Sequence, residues 1–221
     1  MHKRLTWQRR VRKWHNRIAV IGFLQLFAWT VSGIYFAFTD INQVRGNDYR
    51  VASPQSSIDF AAVNLSTTFN GKLTVQQRLP GEIIIGSDGR WQTAEGDPLQ
   101  ILNQEEALAL GKAQTNLNLT VANLIESAEP TSEFRGRDLP LWQLIDIEHP
   151  SVNVYLDAYS GSVSAIRNDA WRIWDFLWSL HIMDYSTRDK IGTVLLKIFS
   201  VLTLFTAVLG IALYLLIPKK R

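Results

Sequence analysis

The chain has 221 residues and a formal net charge of +3, and it contains no cysteine. The missing thiols exclude disulfides, thiolate metal sites and iron–sulfur clusters. The small net charge hides an asymmetry: residues 1–17 hold seven Lys or Arg and no acid, whereas residues 40–190 hold all twenty acids against twelve bases, a net charge of −8.

Residues 1–17 read as a basic cytoplasmic tail resting on anionic lipid, with no nucleic-acid role. Residues 18–38 (IAVIGFLQLFAWTVSGIYFAF) are 21 in number and carry no charge. A bilayer core needs about 20 apolar helical residues, so this run is long enough to span. It reads as an uncleaved anchor, because it exceeds the roughly 7–15 apolar residues of a signal peptide and no small-x-small site follows Phe38. Residues 41–52 read as a linker.

The segment 41–169 reads as a small α+β domain with an antiparallel sheet on one or two helices. Strands are expected at 73–79, 82–85 and 90–93, separated by Pro-Gly and Ser-Asp-Gly turn signals. A helix is expected over 103–117, capped by Asn103 with Glu105 and Glu106 in its first turn. A second short helix is expected at 119–127, then a strand at 141–148 and a hairpin turning at Ser160-Gly161.

Residues 170–186 read as an amphipathic interfacial helix. Trp171, Trp174, Trp178, His181 and Tyr185 are spaced 3, 4, 3 and 4, which puts them on one helical face. Such a stripe is either an interfacial anchor or the wall of a cofactor pocket. Residues 191–217 form a second span with one charge, Lys197, which snorkels or meets a carboxylate. A basic tail, 218–221, closes the chain. The positive-inside rule then puts both termini in the cytoplasm and the middle outside.

Two histidines stand at opposite membrane borders. His15 begins a stripe on the first span made of His15, Ile18, Gly22, Gln25, Trp29, Ser32 and Phe36. Gln25 in a membrane is costly unless it faces protein or a cofactor. Gly22 and Ser32 admit a close helix or a flat ring. The second span offers a seam of Ser200, Thr203, Ala207, Gly210 and Tyr214. His181 carries Trp178 one turn before it and Asp184 three residues after it. Asp184 reads as either an acceptor that orients the His181 ring or a plain interfacial acid. Both histidines are open to two readings, interfacial residue or metal ligand, while His2 and His149 read as solvated. Asn64 and Asn118 begin N-glycosylation patterns by formula only. No phosphate loop, nucleophile triad or carboxylate pair is evident.

The stretches WHNRIAVIGFLQLFAWTVSGIYFAF, DINQVRGNDY, LPLWQLIDIEHPSVNVYLDAYSGSV and RNDAWRIWDFLWSLHIMDY resemble, in order, the bacterial PepSY-associated transmembrane family, in its short two-span form. The resemblance implies an inner-membrane protein with a periplasmic PepSY-like domain. Larger relatives with four or more spans include siderophore reductases that bind haem b through border histidines. His15 and His181 match the family's WH and LH positions and are thereby implied as iron ligands, with Gly22, Gln25, Trp29, Trp178 and Asp184 around the cofactor. This chain has LHIMDY where larger relatives have LHxG, and half their helices. The resemblance therefore implies a homodimer that binds haem b between chains and passes electrons to a periplasmic acceptor or ferric chelate. The alternatives are a membrane-anchored binding or regulatory module without cofactor, and an accessory subunit of another membrane redox protein.

Overall fold

The computed structural model describes residues 2–52, 58, 63, 72–87 and 89–216, with side chains from Thr6 to Leu215 within them. The chain divides into two compact units, one built from its two ends (1–39 and 173–221) and one from Asp40–Arg172. The layout is α+β: two long apolar helices at the ends and two antiparallel sheets between them.

In the first unit, helix α1 runs unbroken over His2–Phe38. The basic segment expected as a tail is thus the first part of the helix. The stripe spaced by 3 and 4 is the face that packs: Gly22, Gln25 and Ser32 are buried, and His15, Ile18, Trp29 and Phe36 half-buried. The rest of the helix exposes Val20, Ile21, Phe23, Leu24 and Phe27, each more than half accessible.

The Asp40–Arg172 unit opens with a short helix α2, Ile41–Val44, and a 3-10 turn at Asn47–Tyr49. The expected linker is therefore structured: Val44 is buried and Arg50 bridges Thr115. Strands β1 (Leu73–Leu79), β2 (Glu82–Ser87) and β3 (Arg90–Thr93) form one antiparallel sheet.

Helix α3, Gln104–Gln114, begins at Asn103, whose side chain takes the Glu106 amide while the Glu106 side chain takes the Asn103 amide. This reciprocal cap satisfies two amides that a helix start otherwise leaves unpaired. Strands β4 (Leu119–Ile125), β5 (Leu141–Asp146), β6 (Asn153–Asp157) and β7 (Val163–Arg167) form a second antiparallel sheet in sequential order. Residues 119–127 were expected to be helical and are not. Their run is too short to choose by itself, and pairing along β5 from Leu119↔Asp146 to Ile125↔Leu141 decides for strand. The core under this sheet holds Leu102, Ala107, Leu119, Leu144, Val154, Leu156 and Ile166. The β6–β7 turn falls at Ser160-Gly161 as expected, with Gly161 at φ +71°.

Helix α4 spans Asp169–Ile182 and α5 spans Val194–Leu216. Both α1 and α5 contain stretches long and apolar enough to cross a membrane, Thr6–Phe38 and Val194–Leu215. α5 packs against α1 through Leu196, Phe199, Thr203, Thr206, Gly210 and Leu213, all half-buried, whereas Ser200, Ala207 and Tyr214 are exposed. The expected seam is thus rotated by about one residue. A helix that is apolar all round carries no periodic signal to set its face, so docking sets it.

Candidate functional site

Within the first unit, α4 from Trp174 onward lies against the C-terminal half of α1. Phe36 meets Trp174 and Trp178, Ser32 meets His181, and Gln25 reaches Leu180. Aromatic side chains expected to lie in a membrane surface therefore pack on a helix.

The end of α4 shows why α1 carries polar groups. A helix leaves its last four carbonyls without helical partners, and in an apolar setting each needs another donor. Met183, at φ 53°, ends the helix in the left-handed conformation, and the Asp184 amide donates to Ser179 O at 3.2 Å. That is a Schellman stop with methionine where glycine is usual. Gln25 Nε2 donates to Leu180 O at 2.9 Å, and Trp29 Nε1 donates to His181 O at 2.7 Å. Thr193 Oγ1 lies 3.3 Å from Ile182 O. All four carbonyls are met. The polar groups of Gln25 and Trp29, expected around a cofactor, are occupied as caps of α4.

His181 Nδ1 lies 2.8 Å from Ser32 Oγ, and that hydroxyl also lies 3.2 Å from Trp29 O. A carbonyl only accepts. With the hydroxyl proton on Trp29 O, the Ser32 oxygen is the acceptor for an Nδ1 proton. The ring stacks on Trp178 at 6.2 Å and 5°, and Phe36 meets its edge at 5.8 Å. His15 has the same form. Its Nδ1 lies 3.1 Å from Thr206 O, which must be the acceptor, so Nδ1 carries a proton. The imidazole packs on α5 beside Gly210, where a Cβ would sit in van der Waals contact, 3.4 Å from His15 Cε1. Among the described residues neither Nε2 makes a hydrogen bond.

Ser32 thus takes the orienting role that was one of the two readings of Asp184. Asp184 is buried, and its oxygens accept from the amides of Ser186, Thr187, Asp189 and Lys190 and from the Ser186 and Thr187 hydroxyls. These bonds, the Thr187 hydroxyl first, hold its carboxyl well below the usual range. It organises the loop after α4 and leaves the ring alone. Tyr185, expected on the aromatic stripe, lies past the helix end and is exposed.

The residues fit an axially ligated haem in three respects. Each imidazole is tied at Nδ1 and free at Nε2, the state of a metal-binding histidine held by an outer partner. Gly22 is buried, yet a Cβ there would meet nothing within 4 Å, so room lies beside this face of α1. Thr203 Oγ1 is buried with no partner among the described residues. The two histidines do not meet, because the 17 residues from His15 to Ser32 rise about 25 Å along α1. One chain therefore does not clamp one iron with both.

No known protein family, curated protein or solved structure matches the chain.

Proposed function

We propose that this chain is a bacterial inner-membrane protein of the PepSY-associated transmembrane type that binds b-type haem through His181 and His15, each paired with its counterpart in a second copy. Both termini are cytoplasmic and Asp40–Arg172 is the periplasmic domain. One observation carries the haem reading: His15 on the α1 stripe and His181 on α4, packed against that stripe, each hold Nδ1 on a protein oxygen and leave Nε2 without a hydrogen bond among the described residues. The belt of exposed Val, Ile, Leu and Phe on α1 and α5 supports insertion in lipid, since apolar surface of that extent is rarely left in water. The charge asymmetry supports the orientation.

Haem, when bound, would be held by His15 and His181 and would supply one-electron chemistry. The chain's residues do the rest. Ser32 holds the His181 ring, and Trp178 and Phe36 shield it from water. His15 lies near the cytoplasmic border and His181 in the outer half, so two ligation levels would carry electrons outward to a periplasmic acceptor or ferric chelate. The test is an absorbance spectrum of the full chain purified after haem supply. A Soret band is expected, reduced by His181→Ala and by His15→Ala, and absent in the double variant. No band in the wild type, or a band unchanged in the double variant, overturns the assignment.

A further inference from the structure

The Asp40–Arg172 unit has a cleft of about 540 Å³, within the usual size range of small-molecule sites. Its charged walls are one-sided: Asp48 and Asp169 line it, and no Lys or Arg does among the described residues. Leu117, Val152 and the Tyr49 ring supply apolar surface.

The acceptors come from three separate segments. Asp48 stands in the 3-10 turn at Asn47–Tyr49, and its carboxylate has no hydrogen bond among the described residues. Asp169 opens α4 and gives one oxygen to Arg172 at 2.8 Å, leaving the other. His149 follows β5, with Nδ1 3.3 Å from Asp146 Oδ2. Asp146 is buried. Burial pushes its carboxyl up, but the amides of Glu148 and Asn118 and the His149 ring outweigh that and hold it low, so it is ionised and only accepts. His149 Nδ1 therefore carries a proton, and in the neutral ring Nε2 is an acceptor. Asn116 Nδ2 donates to Asp48 O, which leaves its amide oxygen as a further acceptor.

We propose that this cleft binds a primary ammonium group on an alkyl stem, either a free amine or the lysine side chain of a peptide. The three donors of an ammonium match acceptors arriving from three directions, and the stem lies on Leu117, Val152 and Tyr49. The start of α4 opposes a cation with about half a positive charge and Arg172 pairs with Asp169, so the Asp48 carboxylate supplies the net negative charge of the cleft. Asp146, Glu148 and His149 also bring ligand atoms within 4.8 Å of one another at the cleft's edge, so zinc is the competing occupant to exclude.

The full chain in detergent is titrated calorimetrically, at fixed ionic strength and neutral pH, with 1,4-diaminobutane, with a lysine-containing tripeptide, with butanol as the uncharged control, and with zinc. Saturable binding of the diamine or the peptide is expected, with none of butanol. It should weaken about tenfold or more in Asp48→Asn and in Asp169→Asn, whose melting is compared with wild type. Diamine alone identifies a free-amine site, and peptide alone a lysine-side-chain site. Saturation by neither, affinity unchanged in both variants, or binding of zinc without either amine overturns the proposal. The cleft shares no residue with the histidine site, so each assignment can fail without the other.

Discussion

Gln25, Trp29 and Ser32 are polar because α4 stops beside them. Replacing Gln25 by leucine keeps the volume and leaves Leu180 O without a donor, which costs about 1–3 kcal/mol. Amide exchange at the end of α4, measured by mass spectrometry, should speed up in Gln25→Leu while exchange in β4–β7 stays as in wild type. Ser32→Ala removes the partner of His181 Nδ1 and nothing that touches a metal. On the haem reading, it should weaken haem retention about 10- to 100-fold and shift the reduction potential, both read spectroscopically. Unchanged retention and potential would separate Ser32 from ligation.

At the scale of elements, two segments depend on single residues. α3 approaches its sheet at Gly111, where a Cβ would lie 2.3 Å from Leu144 Cδ1 and 2.8 Å from Leu119 Cδ1. Alanine there gains about 1 kcal/mol of helix propensity, but overpacking typically costs about 1–3 kcal/mol. The clash prevails, so Gly111→Ala should lower the thermal midpoint of the Asp40–Arg172 unit, read by circular dichroism. The loop 184–190 hangs on the Asp184 carboxylate, held below its unfolded value of about 4. A depressed folded pKa gives stability that is full above the unfolded value and is lost as pH falls toward the folded one. Thermal midpoints in detergent should therefore drop below about pH 4 in wild type. The drop should be shallower in Asp184→Asn, whose amide does not titrate.

For the whole molecule, on the haem reading, the separation of His15 and His181 by about 25 Å would tie cofactor binding to assembly. Haem-loaded protein in detergent should sediment as a dimer, and the His15→Ala, His181→Ala double variant should lose the haem-dependent fraction of that dimer. A haem-loaded monomer would remove the paired-copy arrangement.

Much of the architecture is legible in short stretches of sequence. The two apolar runs, the Asn103–Glu106 cap and the Ser160-Gly161 turn depend on neighbours a few residues apart, and so does the α1 stripe from His15 to Phe36. Local periodicity determines these by itself. Partners are another matter. Ser32 and His181 lie 149 positions apart, Gln25 and Leu180 lie 155 apart, and His15 and Thr206 lie 191 apart. No spacing rule reaches across such distances. Residues 119–125 became a strand because β5 was there to pair with, and the packed face of α5 was set by docking on α1. The sequence alone determined which residues share a helical face. Only the tertiary structure decided what each face meets, because a hydrogen bond needs a partner brought into place by the rest of the chain.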